Sequence, residues 1–161
     1  MWKESFLMKP EEIKPDTELC TILGFNAQTG NCRRYFNGCL KTNKLNATAI
    51  ALNIKDEHFH YTMENLANSK VNRMILEHEF CQNVIGYCDE LDDCATTKKF
   101  VDFVEVVEGK IIGYCLDDAI DAYIENPDFV DERIRLAMKM MLLSNRWYKA
   151  KIDMDLIPTM I

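Results

Sequence analysis

Short apolar runs alternate with stretches of helical spacing along most of this chain. LCTILGF (Leu19 to Phe25) is an apolar run closed by Gly24 and Asn26, which predicts a strand and then a loop. In NCRRYFNGCLKTNKL, Tyr35, Phe36, Cys39 and Leu40 fall near helical spacing, and ATAIALNI (Ala47 to Ile54) reads as a buried strand. KDEHFHYTMENLANS opens with Asp56 as a plausible N-cap and sets Phe59, Met63 and Leu66 on one face, which predicts a helix. VNRMIL is another apolar run. Strand, helix, strand, helix, strand is the rhythm of parallel βαβ units. CQNVIGYCDEL then looks helical, FVDFVEVVEGKIIGYC folds on itself as a hairpin about its EG turn, and Asp118 to Glu125 begins a helix that Pro127 closes.

The last long segment, FVDERIRLAMKMMLLSNRWYKAKI, carries two apolar stripes. Val130, Ile134, Met138 or Ala137, Met141 and Tyr148 form one; Leu136, Met140, Leu143 and Trp147 form the other. A helix apolar on two sides is sandwiched, either inside a domain or between subunits, so a homodimer through this helix is one expected partnership. Its lysines, arginines and methionines also suit a membrane-surface or calmodulin-target helix, but a packed core element is the commoner outcome of such a pattern. The expected organisation is an arm over 1–17, broken by Pro10 and Pro15, an α/β domain over 18–125, and a helical extension over 126–161 packed on it. The fold class is a single three-layer α/β domain with a small mostly parallel sheet, a β-hairpin and C-terminal helices.

Totals narrow the function classes. At 161 residues with 48% apolar content the chain suits one core, and a net charge of -7 disfavours nucleic acid and anionic membranes as partners. Seven cysteines without a C-x-x-C pair read as reduced thiols, which points to the cytoplasm. The first residues lack a continuous apolar signal region, and no window has the apolar length of a membrane span.

Most candidate chemistry is thin. His58 and His60, two apart on a helix, point to different sides and cannot chelate one metal. His78 lies among Glu77, Glu79 and Cys81, yet on an extended segment it points away from them, so no metal site is expected. Gly24, Gly30, Gly38 and Gly86 build no phosphate cradle, and no serine sits in a G-x-S-x-G elbow. Cys81 and Cys115 would be nucleophiles only beside a cation that lowered the thiol pKa; inert packing is the plainer reading. Asp117 and Asp118 stand at a helix start, where carboxylates cap amides and oppose the dipole.

From Leu19 to Asp117, about 100 residues, the order and spacing of these features resemble the N-terminal substrate-binding domain of shikimate dehydrogenases. EGKIIGYCLDD looks like that family's hairpin and its G-x-N-T-D corner, and DELDD (Asp89 to Asp93) like the acidic turn before it. LGFNAQTGNCRRYFN occupies the place of the G-N-P-x-x-H-S-x-S-P-x-x-H-N loop, with Gly24 and Asn37 at its ends.

The resemblance implies a substrate pocket of Gly30, Cys32, Asn37, Ile75, Glu77, Cys81, Asp102 and Asp117. Two serines that hold the substrate carboxylate in the family become Gly30 and Cys32. Its substrate-binding asparagine and threonine and its catalytic lysine become Ile75, Glu77 and Cys81. A further asparagine becomes Asp102, and Cys115 and Leu116 replace the Asn and Thr of the corner. Asp117 keeps the family's catalytic acid, half of a Lys/Asp pair that binds the reacting hydroxyl and moves its proton. Without the lysine that transfer is lost, and Glu77, Asp102 and Asp117 together should repel a carboxylate ligand.

Family members also carry a Rossmann domain. Only 44 residues follow Asp117 here, without its glycine-rich turn, so no cofactor is expected. The expected function is a non-catalytic, stand-alone relative of the substrate domain, acting as a binding or scaffolding protein. One alternative is the substrate-binding subunit of a shikimate 5-dehydrogenase-like oxidoreductase, shikimate- or quinate-specific, working with a separate NAD(P)-binding chain. Another is recognition of a neutral or cationic small molecule in the acidic cleft.

Overall fold

The apolar run at the start of the domain becomes β1 (Glu18–Gly24), flanked on both sides by parallel neighbours, β2 (Ala47–Asn53) and β3 (Arg73–Leu76), in a computed structural model that describes residues 13–125 and 130–161. The hairpin strands β5 (Phe103–Val107) and β6 (Lys110–Tyr114) continue the sheet antiparallel to β3 and to each other. A two-residue strand, β4 (Glu90–Leu91), pairs parallel to β6, giving the order β2-β1-β3-β5-β6-β4. Glu108 and Gly109 both have positive φ, 52° and 79°, as a two-residue hairpin turn with the strands' right-handed twist requires.

Alternation along the strands sorts side chains onto two faces. Ile22, Ile75 and Phe103 point to one core, shared with α1 (Asn31–Thr42) and α5 (Glu132–Tyr148). Leu23, Met74, Leu76 and Val104 point to the other, where Phe59 and Met63 of α2 (Asp56–Glu64) cover them. These are the three layers expected from the pattern.

Three local expectations need correction. Asp56 is the first residue of α2, not its cap; Lys55 precedes it and no side chain caps that end. CQNVIGYCDEL forms no α-helix: a 3-10 turn spans Asn83–Tyr87, and β4 follows because Asp89 takes up both the N–H and the C=O of Ile111 on β6. That tertiary pairing pulls the chain straight where its local spacing reads as helical. The short α3 (Asp93–Lys98) then starts on a true cap, Asp92, which accepts from the Ala95 N–H at 2.8 Å. The helix expected over Asp118 to Glu125 is shorter, α4 (Asp117–Asp121); Pro127 and residues 1–12 of the arm lie outside the described residues.

The two stripes of α5 are both consumed within the chain. Asp131 caps the helix, accepting from the Ile134 N–H at 2.9 Å, and Lys149 ends it in the left-handed conformation. Met138, Met140, Met141, Leu143, Trp147 and Tyr148 are buried, and Trp147 meets Phe36 and Phe103 edge-on at 5.9 and 5.4 Å. The apolar surface that suggested a homodimer through this helix is therefore already covered by α1 and the sheet. The last turn, α6 (Ile157–Met160), packs against the same helix.

Candidate functional site

Because β1, β3 and β6 run parallel, their carboxyl ends meet at one edge of the sheet, and β5, running the other way, begins there. This edge gathers Gly24 and the loop to Gly30, Glu77 after β3, Asp102 before β5 and Asp117 after β6. It is the end where open α/β sheets place their ligands. A cleft of about 380 Å³ opens beside it, lined by Cys32, Glu77, Cys81, Phe100, Asp102 and Lys139 among others.

Helix α5 crosses this edge and lowers two cations onto the carboxylates. Lys139 Nζ lies 2.9 Å from Asp102 Oδ1 and 2.9 Å from Asp117 Oδ1. One turn earlier, Arg135 donates to Asp117 Oδ1 and to Asp121 Oδ1, each at 3.1 Å. Asp102 Oδ2 accepts from the Leu116 N–H at 2.6 Å, and the Lys139 ammonium stands 5.0 Å from the Phe100 ring centroid. The expectation that Asp117 lacks an ammonium neighbour is thus overturned: Lys139 reaches it from α5, the helix that follows. Nor is Asp117 a helix cap, since no side chain caps α4 and its oxygens go to Lys139, Arg135 and the Cys115 thiol.

Protonation follows from this arrangement. Burial works against the Lys139 ammonium, but Asp102 and Asp117 outweigh it and hold its pKa above the ordinary lysine value. Burial pushes Asp117 upward too, and hydrogen bonds and charge from Lys139 and Arg135 reverse that, leaving it below the usual carboxylate range. Asp102, only 6% exposed, stays raised by burial despite Lys139 and the Leu116 N–H. Three carboxylates face two cations here, so the cluster keeps one uncompensated negative charge before Glu77 is counted.

Glu77 occupies a space that only glycines leave open. A Cβ on Gly30 would lie 2.3 Å from its Oε1, and one on Gly24 would lie 2.4 Å from its Cγ. Oε1 is buried without a hydrogen-bond partner. Burial raises the Glu77 pKa, against the Cys32 thiol beside it, and Glu79 raises it further. Glu79 is itself engaged, accepting from the Phe25 N–H at 2.6 Å.

Of the sequence-derived candidates, Gly30, Cys32, Glu77, Cys81, Asp102 and Asp117 gather at this edge. Asn37 does not join them. Its amide holds both the N–H and the C=O of Ala49, at 2.9 and 3.3 Å, pinning α1 to β2. Ile75 is wholly buried in the core. Cys81 and Cys32 are buried thiols whose pKa values burial drives well above the ordinary value, and Cys81 donates weakly to the carbonyls of Leu76 and Glu77. Neither is an activated nucleophile.

Lys139 and Arg135 went unrecognised in the sequence as site residues. The available signal was Lys139 itself, flanked by Met138 and Met140 in a helix with two buried stripes, where an ammonium needs an anionic partner. Among the described residues, no group of three or more His, Cys, Asp or Glu is placed to hold a metal, and no helix is long and apolar enough to cross a membrane. His60, instead of ligating, contacts Glu64 and the Tyr87 hydroxyl.

No family model and no curated protein matches the sequence. Solved structures do. A shikimate dehydrogenase from Aquifex aeolicus superposes with a TM-score of 0.60 at 24% identity, over 69% of this chain and 42% of that one. The fold is that of the shikimate dehydrogenases. Shikimate 5-dehydrogenase from Listeria monocytogenes, in complex with shikimate and NAD, gives a TM-score of 0.60 at 16% identity over 69% of this chain and 38% of its own. The ligand-free 5-ketofructose reductase of Gluconobacter gives 0.59 at 14% identity over 74% and 43%. The chain therefore spans about two fifths of the length of these relatives in fold.

Proposed function

We propose that this chain is a non-catalytic relative of the shikimate dehydrogenase substrate domain and acts by binding, not by turnover. The observation that carries this is the seat of Glu77 against Gly30 and beside Cys32. By the resemblance, those two positions belong to the loop that receives the substrate carboxylate. Here a carboxylate of the protein fills it. An anionic substrate would meet Glu77 and Asp102 in the lining of the cleft, with Asp117 beside Asp102 on their shared Lys139, and adding a like charge there costs free energy. Lys139 and Arg135, the lysine and arginine among the described residues lining the cleft, are both occupied by those acids. The ligand that suits this cleft is neutral or cationic. Incubation of the purified chain with shikimate and NADP+ tests the reading: no reduced coenzyme should accumulate, and steady turnover would overturn it.

One observation favours a second reading. Lys139 and Asp117, 2.9 Å apart, are the ammonium–carboxylate pair that proton transfer from a hydroxyl requires. With a separate NAD(P)-binding chain, the cleft would then serve as the substrate-binding half of an oxidoreductase. Mixing the chain with a lone dinucleotide-binding domain would produce activity that Lys139→Met abolishes; activity unaffected by that substitution, or none at all, rejects this alternative.

A further inference from the structure

A second groove, of about 250 Å³, lies between α1 and α6 and shares no lining residue with the cleft. Tyr35, Met141, Leu156 and Met160 make its apolar walls, and Arg34 and Lys151 are its charged residues. Among the described residues no acidic side chain lines it, although the chain carries 26 acidic against 19 basic residues. Among the described residues neither Arg34 nor Lys151 has an ion-pair partner; every bridge found involves other groups. Asp153 and Asp155 follow Lys151 closely in sequence but stay out of the lining, Asp153 capping the turn to Asp155.

The fold places the Arg34 guanidinium and the backbone of Lys151. Arg34 Nη2 donates to the hydroxyl of Tyr35 at 3.1 Å, and its guanidinium lies 5.0 Å from that ring's centroid. The Lys151 N–H is held at 2.9 Å by the side-chain oxygen of Asn43, itself a lining residue.

Gly38 adds an independent observation. It stands inside α1, where glycine is the poorest helix former after proline, and it lines the groove. A Cβ there would meet nothing within 4 Å, so no neighbour demands its absence. What the missing side chain leaves is room in the groove.

We propose that this groove is a binding site for a small amphipathic anion. A carboxylate or phosphate headgroup is held by Arg34 and Lys151, and a short hydrocarbon body lies on Tyr35, Met141 and Met160 over Gly38. Net repulsion from a chain of charge -7 keeps unselective anions weak, so the apolar body must contribute to affinity. The site is independent of the cleft and of any reading of it.

Calorimetric titration of the full chain at low salt with hexanoate, hexyl phosphate, hexanol and hexylamine tests this. At least one of the two anions should bind about tenfold or more tightly than the alcohol, with no binding of the amine. Hexanoate alone would assign a carboxylate ligand, and hexyl phosphate alone a phosphate. Arg34→Gln and Lys151→Gln should each weaken the anion, and Gly38→Leu, which fills the groove, should abolish binding without lowering the thermal midpoint. Gly38→Ala should weaken it less than Gly38→Leu. Equal binding of hexanol, no binding of either anion, or anion binding indifferent to both charge substitutions overturns the proposal, whatever the folding of the Gly38 variants.

Discussion

Lys139 Nζ lies 2.9 Å from Asp117 Oδ1, joining the middle of the longest helix to the corner that follows the hairpin. The same ammonium reaches Asp102 at 2.9 Å, so one lysine neutralises part of one buried and one half-buried acid and fastens α5 to the sheet edge. The acid that resemblance marks as catalytic is in this molecule a tie point of the fold.

Removing the lysine should therefore show up first in stability. Lys139→Met leaves Asp102 and Asp117 close together without their shared cation, and breaking a buried pair from one side costs about 3–5 kcal/mol. Urea denaturation should register a loss of that order. The triple variant Lys139→Met/Asp102→Asn/Asp117→Asn should recover most of it, because no unpaired charge remains. A single variant as stable as the parent would show that the network carries little weight.

Acid should loosen the same tie. The folded-state pKa of Asp117 is depressed by Lys139 and Arg135 once their effect has overcome burial. A depressed acid contributes stability that is present above its unfolded value, near pH 4, and lost as pH falls through the folded value. Asp102, raised by burial, has the opposite sign and contributes nothing to that loss. Asp117→Asn should thus flatten the acid limb of the stability–pH curve; an unchanged limb would contradict the assignment.

The seat of Glu77 can be probed from its glycine side. Gly30→Ala places a methyl 2.3 Å from Glu77 Oε1, and overpacking of this kind costs about 1–3 kcal/mol. Glu77→Ala removes the obstacle, so the double variant should be more stable than the sum of the single changes implies, with a coupling of about 1 kcal/mol or more. Strict additivity would mean that the two residues do not share the space.

Much of the fold was legible because strands and long helices announce themselves by period. β1, β2, β3, the hairpin and α1 follow their apolar runs, and α5 follows its stripes. The segment from Cys81 to Leu91 was misread because its shape is set by Asp89 gripping Ile111, a contact 22 residues away that local spacing does not encode. The site was legible only in part, for a related reason. Asp102 and Asp117 lie within the stretch resembling the shikimate dehydrogenases, whereas Lys139 lies beyond it, 37 residues from Asp102, on a helix whose spacing shows apolar stripes but not which acids its lysine meets. Asn37 and Ile75 were drawn in by position, yet one is spent on the Ala49 backbone and the other is core. The apolar faces of α5 suggested a second subunit, since sequence gives the faces of a helix and not what covers them.

The central claim is that the carboxylates of this cleft, Glu77 foremost, keep an anionic cyclic polyol out. Calorimetric titration of shikimate into the purified full chain at neutral pH tests it most directly. The expected result is no saturable heat into the millimolar range, with a first measurable affinity in Glu77→Ser. Saturating binding by the unaltered chain with a Kd of about 10 μM or tighter would contradict it.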